Sequence, residues 1–192
     1  MEIAVAQREV RHAFLRGGPG AVISGIVWLV AGIVATLHDV ANGFVVLFFG
    51  GMLIFPAASF IVRRVFRRKS ESQENPNGLI VIETLFPMIG GFLAAWLFIP
   101  YRPDFVFPMS AIAVGAHYFG FRTAYGDWTN WILGGIMCAV GIASMFSGVP
   151  ASGIVAYIIS AIEIGFGLYL TWIGIAKESA DALAGLDAKI SG

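Results

Sequence analysis

Residues 20–37 read GAVISGIVWLVAGIVATL, a stretch with no charged residue. A helix needs about 20 mostly apolar residues to cross the hydrocarbon core of a bilayer, so this stretch predicts a membrane-spanning helix. Five further apolar stretches of similar length follow it, at about 43–62, 79–99, 103–121, 130–146 and 151–176. The sequence therefore predicts an all-α bundle of six transmembrane helices.

The composition predicts one integral membrane domain over residues 1–192. The chain is 58% hydrophobic and 12% charged, with a mean hydropathy of +0.82, whereas soluble domains carry about 25% charged residues. The apolar stretches leave no room for a separate soluble domain. The formal net charge of zero gives no indication of a nucleic-acid partner, and the single cysteine, Cys138, excludes an intrachain disulfide.

Three polar segments lie outside the predicted spans. Residues 1–16 interleave basic and apolar residues, which predicts an amphipathic helix in the membrane interface, with a frayed basic tail as the alternative. Residues 63–78 predict an exposed cytoplasmic loop whose asparagine- and glycine-rich end is typical of disorder. Residues 177–192 form a short polar tail.

The basic residues predict the orientation of the chain. Eleven of the 12 Lys and Arg residues fall on one side of the predicted membrane, and loops rich in these residues stay in the cytoplasm. Both termini are therefore predicted to be cytoplasmic, in a protein of the inner (plasma) membrane. One basic run next to a span end predicts contact with anionic lipid rather than nucleic acid; it comprises Arg63, Arg64, Arg67, Arg68 and Lys69.

Three ionisable residues, Glu83, His117 and Glu163, fall inside predicted spans, where burying one costs several kcal/mol unless it is satisfied. Glu83 and His117 lie about 6 Å from the cytoplasmic ends of consecutive antiparallel spans. This depth is compatible with a contact between them, and the functional interpretation is a polar site open to the cytoplasm. The alternatives are a purely structural bond, or two side chains that reach interfacial water separately.

Glu163 lies near the middle of the sixth span, about 18–20 Å from either end. No basic residue is predicted at that depth, which favours the uncharged acid. Its candidate hydrogen-bond partners are Ser110, Ser144 and Tyr157. Glu163 is then either a proton or cation site in a cavity, or a neutral acid bonded to a neighbouring helix. Glu163, Glu83 and His117 together are the predicted substrate or ion pathway.

Small residues predict close helix packing, because lipid gives helices no hydrophobic drive to associate. They recur every four positions along one face of the fifth span, at Gly135, Ala139, Ala143 and Ser147. This face is predicted to pack against another helix, and it favours a homo-oligomer. The six spans divide into three helical hairpins, and similar glycine patterns in the first and fifth spans raise triplication of one hairpin as a minority interpretation. Glycines near Pro56 and Pro87 predict kinks or breaks in the second and third spans.

Motifs for chemistry are missing from the sequence. It contains no HExxH, GxSxG, CxxC or phosphate-binding loop, and only one histidine lies within a span. We therefore predict no catalytic residue, no cofactor and no metal site, and do not expect an enzyme.

Three short segments carry a resemblance to a known family: Gly25 to Trp28 with Gly32-Ile33, Gly50 to Pro56 (GGMLIFP), and Gly115 to Phe121 (GAHYFGF). They resemble a bacterial family of small six-span membrane proteins with no assigned function, over about residues 17–175. The resemblance implies a six-helix fold and draws attention to His117. It implies no activity, cofactor or catalytic residue.

These observations leave two principal hypotheses for function. The leading one is a small-solute or proton/cation-linked transport or channel protein, because ionisable residues and predicted helix breaks are typical of such proteins. The alternative is a non-catalytic membrane subunit or scaffold whose polar groups only lock helices together. A water-accessible cavity at Glu163 would favour the first, and tight packing around Glu163 the second.

Overall fold

The computed structural model describes residues 2–147 and 152–190, which form helices joined by turns and loops, with no strand. Seven α-helices follow one another, with short 3₁₀ turns at Leu15–Gly17 and Pro103–Phe105. The helices are α1 (Ile3–Ala13), α2 (Gly18–Leu37), α3 (Val40–Arg64), α4 (Asn77–Phe98), α5 (Val106–Tyr125), α6 (Thr129–Phe146) and α7 (Ser152–Ile190).

Local sequence explains where several helices begin and end. Pro19 stands in the first turn of α2, where its missing N–H costs nothing. The Asp39 side chain caps α3 by accepting a hydrogen bond from the Asn42 N–H. Gly126 ends α5 in the left-handed conformation, with φ 64°. The predicted helix breaks are not found, because α3 and α4 continue through Pro56 and Pro87.

Five of the described helices are long and apolar enough to cross a membrane, judged by length and composition. They are α2, α3, α4, α6 and the part of α7 up to Lys177. The stretch predicted as the fourth span forms α5, which does not meet this criterion. Much of α5 is nevertheless buried by other helices.

Helices α2 to α7 form two layers, α3–α2–α7 and α4–α5–α6, with α2 and α5 in the middle of their layers. The layers meet where Trp28 of α2 lies 6.0 Å, centroid to centroid, from Phe107 of α5. The first two predicted hairpins form as packed pairs. The third does not, because α6 packs mainly on α5 whereas α7 packs mainly on α2.

Glycines at a spacing of seven residues bring α2 against α7. A Cβ atom at Gly25 would lie 2.7 Å from Ile164 Cγ1, and one at Gly32 would lie 3.0 Å from the Tyr157 ring. Glycine lets the two backbones approach closely along the seam, as small residues do in membrane helix pairs. The pairs run in opposite order along the two helices, so α2 and α7 are antiparallel.

Helix α5 lies antiparallel to both of its neighbours over most of its length. Against α4, its Ala124 carbonyl accepts from Asn77 at one end, and Phe105 just before its start stacks near Phe98 at the other. Against α6, Gly115 meets Gly134, and the Pro108 carbonyl lies close to Gly141. Each connection to α5 is short, so the chain turns back at both ends of this helix.

The N-terminal helix forms as predicted, but protein covers its buried residues Ala6, Val10 and Ala13, because α1 packs against α5 and α4. The loop before α4 does not fit the prediction of disorder. Its Asn75 side chain is buried and donates hydrogen bonds to the Ala6 carbonyl and to Glu9. Hydrogen bonds from Asn75 and Ser72 also lower the pKa of Glu9.

Candidate functional site

Glu163 lies on α7 at the meeting of the two layers and is 0% exposed. The Tyr118 hydroxyl of α5 donates a hydrogen bond of 2.9 Å to Glu163 Oε1. Ser24 of α2 interacts with both of these side chains. One polar cluster, Ser24, Tyr118 and Glu163, therefore joins three different helices.

The spacing of buried residues on α7 explains why the Glu163 carboxyl lies between the two layers. Ile159, Glu163 and Leu170 recur at intervals of four and seven residues and are all buried, as expected for one stripe of a helix. Ile159 packs in the core between the layers, and Glu163 bonds to Tyr118 of α5, so Glu163 projects away from the exposed side of α7.

The second oxygen of the carboxyl, Oε2, is buried, and no hydrogen-bond partner reaches it from the part of the chain that the structure describes. No Lys or Arg forms an ion pair with Glu163 among the same residues. A charged carboxylate would be costly in such surroundings, so the uncharged acid is the cheaper form.

The partners of Glu163 predicted from the sequence are wrong. Ser110 and Ser144 instead donate to the carbonyls four residues earlier in their own helices, those of Val106 and Val140. Tyr157 exchanges a hydrogen bond of 3.0 Å with Thr36 on α2. Tyr118 was missed because hydropathy does not tell which face of α5 meets α7.

Glu83 and His117 do not meet. His117 Nδ1 shares a hydrogen bond of 2.7 Å with the hydroxyl of Thr84, the residue next to Glu83. Glu83 itself is exposed, because successive residues of a helix point about 100° apart. Helices α4 and α5 therefore meet near these positions, but they bring together neither Glu83 with His117 nor either of them with Glu163.

Two shallow surface grooves open toward the side where lipid is expected. One, of about 240 Å³, runs between α3 and α4 and is lined by large apolar side chains that include Phe48 and Phe92. The other, of about 420 Å³, lies on α7 beside Gly165. Glu163 lines neither groove, so the carboxyl is enclosed by helices.

A second polar cluster ties the turn between α5 and α6 to the N-terminal segment. The Asp127 carboxylate accepts from the Thr129 N–H and pairs with Arg16. Burial alone would raise the pKa of Asp127, but the hydrogen bond from Thr129 and the charge of Arg16 outweigh it and lower that pKa. Arg16 has a positive φ of 59°, which turns the chain from α1 into α2.

Metal-ligating side chains do not cluster in the described residues, where no group of three His, Cys, Asp or Glu side chains could hold an ion. The thiol of Cys138 is free and donates weakly to the Ile112 carbonyl at 3.6 Å.

Comparison with known proteins identifies a matching family. A family model described as a family of unknown function (DUF7010) matches residues 3–172. This confirms the predicted resemblance to a family without an assigned function. No curated protein and no solved structure matches the chain.

Proposed function

The chain belongs to this family of unknown function, and from that premise we propose that it is a multi-pass integral membrane protein acting as a non-catalytic subunit or scaffold. Its apolar helices are suited to a membrane. The buried polar cluster of Ser24, Tyr118 and Glu163 then serves to lock the two helical layers together.

Six spans fit the packing better than five. Helix α5 has 20 residues, about 30 Å at 1.5 Å per residue, which is enough to cross the hydrocarbon core. It lies antiparallel along α4 and α6, both of which are apolar enough to span. If α4 and α6 cross the bilayer, α5 must cross it too.

An even number of spans puts both termini on one side, and the distribution of basic residues favours the cytoplasm for that side. The charge asymmetry supports an inner-membrane protein with Arg63, Arg64, Arg67, Arg68 and Lys69 beside anionic lipid. A C-terminal reporter that is active only in the cytoplasm should give full signal. A reporter that is active only outside the membrane should give none, and the reverse pattern would refute this orientation.

The enclosure of Glu163 by other helices is the main observation that supports a structural role for this residue. A transport site needs access from water, whereas Glu163 is 0% exposed and lines neither surface groove. A hydrogen bond between membrane helices contributes about 0.6 kcal/mol on average, so this cluster adds more to the choice of one packing arrangement than to total stability.

A double-mutant cycle with Glu163→Leu and Tyr118→Phe tests this role. Each single change should lower the free energy of unfolding, and the two together should cost less than their sum, with a coupling of about 0.6 kcal/mol. Glu163→Gln keeps the shape and an acceptor oxygen, so it should be tolerated better than Leu. A coupling energy of zero, together with equal stability of the Glu163→Gln and Glu163→Leu proteins, would refute the proposal that this cluster holds the two layers together.

Proton- or cation-linked transport is the second candidate, favoured by the unpartnered Oε2 atom of Glu163. In that case a second conformation opens a path to Glu163, with Glu83 and His117 nearer the cytoplasm. Proteoliposomes with an entrapped pH dye should then show proton flux that Glu163→Gln abolishes and Tyr157→Phe retains. Flux equal to that of protein-free liposomes would exclude proton transport and leave the scaffold role.

The small-residue face of α6 supports self-association. Ala139, Ala143 and Ser147 are exposed, and nothing lies within 4 Å of a Cβ atom built at Gly135. No helix of the chain covers this face in the described residues, so a helix of a second copy is its proposed occupant. A monomeric mass by light scattering in several mild detergents and in nanodiscs would contradict it.

A further inference from the structure

Arg122, in the last turn of α5, lies beside two tryptophans. Its guanidinium carbon is 5.5 Å from the ring centroid of Trp128 and 5.6 Å from that of Trp131. Both distances are within the range of a cation–π contact, about 6 Å. The two indole rings meet edge to face at 5.0 Å, so they form one aromatic wall beside the cation.

This cation has no anionic partner among the described residues. Its Nε atom is buried without a hydrogen bond, and no ion pair involves Arg122 in that part of the chain. The nearby carboxylate in sequence, Asp127, is already paired with Arg16 and Thr129. Aromatic rings attract a cation but do not satisfy its N–H donors, so the guanidinium still lacks an oxygen acceptor.

The position suits a ligand that comes from the membrane. Arg122 lies three residues before the end of α5, about 4–5 Å along the axis, and directly follows the predicted end of the fourth span at residue 121. Trp128 and Trp131 are 61% and 43% exposed, as interfacial tryptophans are. Phe119 and Ile132 continue the exposed apolar surface deeper from this point.

We infer that Arg122, Trp128 and Trp131 bind the phosphate group of a membrane phospholipid. The guanidinium donates to the phosphate oxygens in the geometry that arginine offers to such anions. The indole rings flank the headgroup, and an acyl chain lies along Phe119 and Ile132. The inference rests on the membrane location in the proposed function, but not on the scaffold role.

The test uses the full chain in detergent, with bound lipid counted by native mass spectrometry. Wild type is offered equal amounts of phosphatidylglycerol and of a phosphorus-free diglucosyl diacylglycerol with the same acyl chains. Phosphatidylglycerol should be retained preferentially. Arg122→Gln should bind it about tenfold more weakly, which corresponds to about 1.4 kcal/mol.

Arg102→Gln is the matched control, because Arg102 lies at the other end of α5, pairs with Asp104 and lies over the Phe105 ring. It should retain phosphatidylglycerol like wild type. Glu163→Gln should also retain phosphatidylglycerol. Failure of the proposed structural role of Glu163 can therefore be distinguished from failure of the proposed lipid site. Circular dichroism and the thermal midpoint establish that each variant is folded.

Three results would overturn the inference. Equal retention of phosphatidylglycerol and the glycolipid by wild type would show that phosphate is not recognised, whether or not Arg122→Gln folds. Unchanged affinity in folded Arg122→Gln would remove the guanidinium from the site. Displacement of phosphatidylglycerol by an equal concentration of inorganic phosphate would show a site for soluble phosphate instead of lipid.

Discussion

Replacing Gly25 with alanine should weaken the contact between α2 and α7. A Cβ atom there would lie 2.7 Å from Ile164 Cγ1, 2.9 Å from the Ser160 carbonyl oxygen and 3.0 Å from the Ile164 nitrogen. Carbon atoms prefer separations of about 3.5–4.0 Å. The Ile164 side chain can rotate, but two of the three neighbours are backbone atoms, so α7 itself must move.

Gly165→Ala makes the same chemical change on α7, at a position where nothing lies within 4 Å of a built Cβ atom. Alanine is a better helix former than glycine by about 1 kcal/mol, and both variants receive this gain. Overpacking costs about 1–3 kcal/mol and applies only to Gly25→Ala. The difference in unfolding free energy between the two variants should therefore be about 1–3 kcal/mol.

The measurement is reversible unfolding of both variants in the same mixed micelles, with wild type alongside. Comparing two alanine variants removes the effect of helix propensity, and the remaining difference reports the α2–α7 contact. The reasoning would be refuted if Gly25→Ala were as stable as Gly165→Ala or more stable. In that case the two helices would be farther apart than the glycine contacts require.

Three further predictions concern the helix ends and the contact between α4 and α5. Asn77→Ala should destabilise the protein by about 1 kcal/mol, because it removes the buried bond to the Ala124 carbonyl; Asn42→Ala at an exposed cap is the comparison. Thr84→Val should cost about 0.6 kcal/mol by removing the bond to His117, and an unchanged unfolding free energy would contradict it. Asp127→Asn should lower stability at neutral pH and lower it less at acidic pH, where the carboxylate of the wild type becomes protonated. The folded pKa of Asp127 is lowered, so its stabilisation is present above the unfolded value of about 3.9 and is lost as the pH falls through the folded pKa.

The helices themselves could be predicted from the sequence, because each span needs a long apolar run and short polar turns separate the runs. The predicted first span, 20–37, differs from α2 by only two residues at its start. The loop at 63–78 was harder, since Asn75 bonds to Ala6 and Glu9, 69 and 66 residues away along the chain. Local composition cannot report such contacts.

The contacts between helices were only partly predictable. The sequence predicted a packing face on the fifth span that begins at Gly135. The face that meets α5 instead contains Gly134 and Gly141. The partner of His117 is likewise one residue away from the expected Glu83, because the bond is made by Thr84. The position of a residue along a helix follows from its number, because each residue adds about 1.5 Å. The direction of its side chain is harder to predict, because each residue also turns the helix by about 100°.

The weak apolarity of α5 and the burial of Glu163 have a common explanation. A helix must be strongly apolar only where it is exposed to lipid. Because α5 is covered by α4, α6 and α7, it can carry His117 and Tyr118 at little cost. Apolar contacts between two layers do not fix their register, because they are not directional, whereas the Tyr118–Glu163 bond is directional. Losing it should therefore affect the uniqueness of the packing more than the helix content. A Glu163→Leu protein would keep its helical circular dichroism but unfold over a broader transition than wild type, and an equally sharp transition would show that apolar packing alone sets the register.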